Sequence, residues 1–163
     1  SAPLEIERVY LLRAAPELPP GAVALELEQG YLPDGGADDE EGRVRRTTYP
    51  DGRQKLVHTI KRGLGLVREE TERALTPAEF DALWPRTAGR RVLKTRHKVP
   101  DGAVTWEVDV FRDRDLVLAE VELESAEQQV TLPPWLAPHV LREVTEDPRY
   151  RNYALATGEP PPA

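Results

Sequence analysis

From Leu4 to Leu12 the chain alternates: Leu4, Ile6, Tyr10 and Leu12 fall on one face, and Glu5, Glu7, Val9 and Leu11 on the other. Side chains two apart on a strand share a face, so this is the pattern of a β-strand. Similar segments run from Val23 to Leu32, Arg43 to Tyr49, Gln54 to Lys61, Leu66 to Arg73, Arg91 to Val99, Val104 to Phe111 and Leu116 to Leu123. Pro50-Asp51-Gly52 and Pro100-Asp101-Gly102 each read as a turn between neighbouring strands, because proline presets φ and glycine accepts a positive φ. Their similarity hints at two related halves. Thr76-Pro77-Ala78-Glu79 is a helix start, with a threonine cap, proline at the first position and glutamate at the third. Phe80, Leu83 and Trp84 then share a helical face. A short helix is expected over Ser125 to Val130, and a final one from Asp147-Pro148 to Gly158. Eight strands in hairpin order predict an α+β chain: an antiparallel sheet curled into a β-barrel, with helices outside. Residues 1–157 form a single domain, the acidic and glycine-containing stretch 33–42 a mobile loop, and the proline-rich 158–163 a flexible tail.

Like charges recur at i, i+2 within these strands. The acidic pairs are Glu5/Glu7, Glu107/Asp109 and Glu120/Glu122; the basic pairs are Arg43/Arg45 and Lys94/Arg96, with Lys61 alone on a similar stretch. Arg68, Glu70 and Glu72 share a face of their own strand. Two like charges at ~5 Å and an effective dielectric of ~20 repel by ~3 kcal/mol. A solvated sheet face tolerates this. So does a barrel interior in which metal ions and a polyanion relieve it. If the charged faces point inward, the apolar outer faces need cover, expected from the helices and from a partner subunit in a homodimer.

Composition narrows the chemistry. The chain has 163 residues, 39% hydrophobic and 31% charged, with a formal net charge of −7. That length suits one domain with a real core, and the acidic balance argues against a nucleic-acid binder. With no cysteine, disulfides and thiolate chemistry are excluded. No apolar run approaches the ~20 residues that span a bilayer and no secretory signal opens the chain, so a cytoplasmic location is expected. His58, His97 and His139 lack ligand spacing. Trp84, Trp106 and Trp135 read as packing residues. Carboxylates without thiolates suit a hard ion, Mg²⁺ or Mn²⁺, and arginines and lysines in the same cavity suit phosphate oxygens. The combination describes a metal–polyphosphate site.

The ordered set Glu5-Ile6-Glu7-Arg8, Gln29-Gly30-Tyr31-Leu32, Arg43-Val44-Arg45, Thr59-Ile60-Lys61, Arg68-Glu69-Glu70-Thr71-Glu72, Lys94-Thr95-Arg96, Glu107-Val108-Asp109, Glu120-Val121-Glu122, Glu143-Val144-Thr145-Glu146-Asp147 and Arg149-Tyr150-Arg151-Asn152 resembles the CYTH domain, the triphosphate tunnel metalloenzymes. The short, stand-alone bacterial inorganic triphosphatases are the most similar members. The resemblance implies an eight-stranded antiparallel tunnel with a C-terminal helix at one mouth. It implies divalent-metal-dependent hydrolysis of inorganic tripolyphosphate or a related triphosphate. By motif, Glu5, Glu7, Asp109, Glu120 and Glu122 would hold metal, Arg43, Arg45, Lys61, Arg68, Lys94 and Arg96 the phosphates, and Glu70, Tyr31 and Glu122 would serve the reacting end.

Val9 departs from the family signature, which has lysine there, on the face of Glu5 and Glu7. Arg8 points the other way by parity, and Arg13 lies ~13 Å along the strand. The substitution implies reduced or redirected turnover. The alternative reading is a non-catalytic or weakly active module that binds polyphosphate or nucleoside triphosphates; adenylate cyclase or thiamine triphosphatase activity ranks below both.

Overall fold

The computed structural model describes residues 4–33, 40–63 and 66–158. Its strands are β1 (Leu4–Leu12), β2 (Val23–Tyr31), β3 (Glu40–Thr48), β4 (Gln54–Arg62), β5 (Val67–Ala74), β6 (Arg91–Asp101), β7 (Val104–Phe111), β8 (Val117–Glu122) and β9 (Val140–Glu143). Eight of them, in the order β5-β4-β3-β2-β6-β7-β8-β1, close into an antiparallel barrel through the β1–β5 pairing. The alternation read from the sequence thus places the expected strands in the expected barrel.

The ninth strand is one the pattern did not reveal. β1 pairs with β8 through Glu7–Leu11, while its other edge is divided between β5, at Leu4–Ile6, and β9, at Tyr10–Leu12. In the gap between them, Glu7 N–H donates to the Leu66 carbonyl at 3.3 Å and Val9 N–H to Thr145 Oγ1 at 3.0 Å. The seam therefore leaves neither backbone donor unmet, as burial demands.

Helix α1 (Pro77–Leu83) has the predicted start, with Thr76 and Glu79 capping each other reciprocally. Phe80 packs against Val44 and Leu75 on the outer wall and stacks on Trp84. The 3₁₀ turn Trp84–Thr87 then approaches β2 so closely that a Cβ on Gly30 would lie 2.2 Å from Thr87 Oγ1.

Three local expectations change. Ser125–Val130 is a turn rather than a helix: the Gln128 side chain accepts from Glu124 N–H at 2.7 Å, a local bond that competes with helical geometry. The C-terminal helix is two pieces, a 3₁₀ turn at Pro148–Tyr150 and α2 (Asn152–Thr157), separated by extended backbone at Arg151 (φ −71°, ψ 145°). The two Pro-Asp-Gly triplets also differ. The first makes the turn, with Gly52 at φ 89°, whereas Pro100 and Asp101 continue β6 and the tip lies at Gly102 and Ala103. Beyond Lys98, β6 has no β2 neighbour, so the missing N–H of Pro100 costs no ladder bond. The two halves are not equivalent there. Residues 34–39 of the acidic loop and 159–163 of the tail lie outside the described residues.

The main hydrophobic core lies outside the barrel wall. Tyr10, Leu12, Val99, Trp106, Val108 and Val121 face outward and are covered by Leu18 and Ala22 of the β1–β2 connection and by Val130, Leu132, Trp135 and Leu136 of the β8–β9 connection. The chain's own connections supply this cover, and helix α1 covers the wall at Val44 and Leu75. A second cluster closes one end of the barrel: Leu11, Tyr31, Phe111 and Leu118 pack against Val144, Tyr150 and Leu155. Burying apolar area outside the wall leaves the interior to polar residues. Among the described residues, no helix is long and apolar enough to cross a membrane.

Candidate active site

The inner faces of β1, β3, β4, β5, β6, β7 and β8 bring the like-charge pairs together as one lining. Asp109 on β7 sits at its centre, with no solvent exposure. Lys94 Nζ lies 2.7 Å from it, and Arg96 donates two hydrogen bonds to it at 2.8 and 2.9 Å. Burial works against the carboxylate, but Arg96 and Lys94 outweigh it and hold the Asp109 pKa well below the usual range. Arg96 also reaches Glu107 and Glu120, each at 3.4 Å. Burial opposes the guanidinium, yet these three carboxylates raise its pKa well above normal. Lys94 gives a further hydrogen bond to Asn152 Oδ1 at 3.0 Å.

A second group lies where β1 meets β5 and β4. Lys61 Nζ is 2.9 Å from the Glu5 carboxylate, and Glu5 shares a hydrogen bond with Glu70. Burial penalises both carboxyls. Lys61 nevertheless holds Glu5 ionised, whereas burial and the bond to Glu5 push Glu70 up to about 7. The neighbouring carboxyls thus divide their roles, Glu5 keeping the charge and Glu70 the proton.

At Glu7 and Glu120 the nearby cations compensate less than burial and like charge cost. Burial raises the Glu7 pKa well above normal and Glu120 and Glu5 raise it further; burial and Asp109 likewise raise that of Glu120. Among the described residues no three carboxylates or imidazoles form a preformed metal cage. Two underneutralised carboxylates still match the way Mg²⁺ is held, by one or two carboxylates with waters and substrate phosphates completing the shell. The donor set fits a hard divalent ion.

The cationic wall consists of Arg43, Arg45, Lys61 and Arg68. Arg43 is buried, and Tyr31, Glu5 and Glu70 around it favour its charge against burial. Burial, aided by Arg43 and Arg96, pulls Arg45 down to about 10, still cationic at neutral pH. The buried Nε atoms of Arg43 and Arg45 make no hydrogen bond. Such donors, withdrawn from water and unmet, suit an anion's oxygens.

The tunnel's ends differ. One narrows to a cavity of ≈ 40 Å³ lined by Glu7, Val9, Tyr31, Lys61, Glu120 and Arg151 among others, closed by the segment around the C-terminal helix. The other opens into a space of ≈ 690 Å³ lined by Leu25, Tyr49, Lys98, Glu107 and Glu122. The structure therefore separates the sequence candidates. Glu5, Glu7, Glu70, Glu120, Tyr31 and the cations lie in the tunnel, whereas Glu122 stands exposed at the open mouth. Lys94, expected beside phosphate, is wholly buried between Asp109 and Asn152. Gln29, buried near the Tyr31 hydroxyl at 3.4 Å, and Arg151 and Asn152 were not singled out by charge alternation. Gln29 is uncharged, and the other two lie outside the strands.

The chain is 42% identical to an inorganic triphosphatase from Nitrosomonas europaea, over 96% of this chain and 99% of that protein. A crystal structure of an inorganic triphosphatase matches at 36% identity with a TM-score of 0.63, over 96% of this chain and 100% of the other. A putative adenylate cyclase from Bacillus halodurans shares the fold, with a TM-score of 0.52 at 17% identity over 76% of this chain and 82% of the other. No protein-family model matches the chain.

Proposed function

This chain belongs to the inorganic triphosphatases of the CYTH, or triphosphate tunnel metalloenzyme, family, and on that premise we propose that it hydrolyses a phosphoanhydride bond of inorganic tripolyphosphate or a related triphosphate. The observation that carries this reading is the closed-ended tunnel in which Arg43, Arg45, Lys61 and Arg68 face the underneutralised Glu7 and Glu120. A phosphate chain inserted from the open mouth meets cations throughout. Glu7 and Glu120, with Glu5 beside them, would hold Mg²⁺ or Mn²⁺; when bound, the ion neutralises phosphate oxygens and acidifies water.

The protein's own groups then position the reaction. The guanidinium and ammonium groups hold the phosphates in line and stabilise charge on the transferring group. Glu70, which titrates at about 7 beside Glu5, is the candidate base: its ionised form orients the attacking water and takes its proton. Tyr31, held by Gln29 and the Tyr153 ring, steadies the phosphoryl group at the closed end. Asp109 acts by keeping Arg96 in place, and Glu122 stands at the mouth.

One observation favours a second reading, tight binding with little turnover. Val9 packs with the apolar cluster at the closed end, so β1 offers carboxylates there but no cation to the reacting group. Phosphate release from tripolyphosphate with Mg²⁺ or Mn²⁺ decides between them. Release above that of a Glu5→Ala/Glu7→Ala variant supports hydrolysis; calorimetric binding without release supports the module.

A further inference from the structure

The cations along the tunnel are unevenly matched by carboxylates. On β3, Arg43 and Arg45 lie two residues apart, and the next inward positions toward the open mouth, Thr47 and Tyr49, carry no charge. On β2 the parity of Gln29 and Tyr31 turns Leu27, Leu25 and Val23 inward, paired in register with Lys94, Arg96 and Lys98 of β6. Leu27 and Leu25 are buried, and so is Val57 of β4, which stands opposite Arg45. The wall of Arg43, Arg45, Lys61 and Arg68 thus gives way to uncharged surface within ~7 Å of strand beyond Arg45.

At the mouth itself the balance reverses. Glu107, Glu122 and Glu124 line the ≈ 690 Å³ space, and among the described residues Lys98 is the one cation lining it. Lys98 is 3.6 Å from Glu107, and Arg96 below it is shared by Asp109, Glu107 and Glu120. The opposite end is shut by Tyr31, Val144, Tyr150 and Leu155. A phosphate chain therefore cannot slide deeper to shelter extra length. Whatever exceeds the cationic wall stands in the mouth, where apolar surface strips water from its charges and carboxylates repel them.

We propose that the open mouth is a chain-length filter, in which Leu25, Leu27 and Tyr49 together with Glu107, Glu122 and Glu124 disfavour any phosphate beyond the three of a triphosphate; this rests on the triphosphatase reading. The filter acts against longer chains, by repulsion and desolvation, rather than through contacts to tripolyphosphate.

Calorimetry with tripolyphosphate and with tetrapolyphosphate, Mg²⁺ in excess, on the wild type, Glu124→Gln and Glu124→Gln/Thr105→Lys tests the filter. Glu124 and Thr105 are exposed at the mouth, so the melting temperatures of the three proteins should agree. The wild type is expected to bind tetrapolyphosphate about 10-fold or more weakly than tripolyphosphate, the discrimination coming from the repulsive element. Glu124→Gln should narrow that ratio and the double variant should close most of it, while tripolyphosphate affinity stays within about 3-fold, as for charges at the rim of an interface. Added salt should narrow the wild-type ratio too, because it screens exposed charges. Equal or tighter binding of tetrapolyphosphate by the wild type would overturn the proposal, as would a ratio that the double variant leaves unchanged. Either result alongside tight tripolyphosphate binding leaves the triphosphatase reading standing. If the wild type neither binds nor hydrolyses tripolyphosphate, that reading falls and the proposal with it.

Discussion

Lys94 Nζ lies 2.7 Å from the carboxylate of Asp109, and neither side chain has any solvent exposure. Arg96 completes the group from the other side of Asp109. A buried ion pair of this kind is weak evidence of net stabilisation, but removing one partner leaves a charge stranded in low dielectric. Asp109 is best understood as the residue that makes two interior cations tolerable.

Asp109→Asn should therefore destabilise the fold by about 3–5 kcal/mol, because Lys94 and Arg96 lose their shared counter-charge. Adding Lys94→Met should recover part of that loss. Denaturant midpoints of the wild type, the single variant and the double variant measure it, and a wild-type midpoint for Asp109→Asn would contradict the role assigned to the pair.

Glu7 and Glu120 present the opposite case, carboxyls raised in pKa by burial, with Glu120 and Glu5 adding to it at Glu7 and Asp109 at Glu120. Glu7→Gln should raise the melting temperature in chelator at neutral pH, since it removes a buried ionisable group whose charged form burial, Glu120 and Glu5 all disfavour. It should also abolish the additional stabilisation that Mg²⁺ or Mn²⁺ gives the wild type, which follows mass action on a folded-state site. Thermal scans with chelator and with each ion distinguish the two effects.

Val9 pairs in register with Glu120 and lines the same cavity as Tyr31. Val9→Lys should raise turnover of tripolyphosphate by placing a cation at the closed end, and should lower stability by about 1–3 kcal/mol through the lost apolar contact. Unchanged turnover in a folded variant would show that position 9 does not limit catalysis.

The Thr87 side chain sits directly against Gly30 on β2, where a Cβ would meet its Oγ1 at 2.2 Å. Gly30→Ala should cost about 1–3 kcal/mol, typical of forced overpacking, and trimming the obstacle with Thr87→Ala should relieve part of it. Urea unfolding of the two singles and the double tests the coupling. Because Gly30 precedes Tyr31, reduced tripolyphosphate affinity is expected to accompany the strain.

Much of this was legible in the chain. Parity alone placed Glu5 with Glu7, Lys94 with Arg96 and Glu107 with Asp109 on shared faces, because side-chain alternation is a property of the local backbone and holds in any sheet that accepts the strand. The Pro50-Asp51-Gly52 turn and the Thr76 cap were equally local. The i, i+2 charge pairs, unfavourable on their own, marked the strands that needed an interior with partners.

What alternation could not convey was how far along the tunnel each residue stands and which neighbour satisfies it. Those depend on pairing register between strands distant in sequence. Register sets Glu122 at the exposed mouth two positions from the buried Glu120, and brings Lys94 to Asp109 and Asn152 instead of to open cavity. The vacant upper edge of β1 exists only once β5 has taken the lower one, so β9 had no signal in its own four residues. The same holds for Arg151, whose place at the closed end follows from the anchoring of Val144 and Asn152 to the barrel. The sequence determined which faces are charged; tertiary closure decided which of those charges meet each other, and which are left to meet a phosphate.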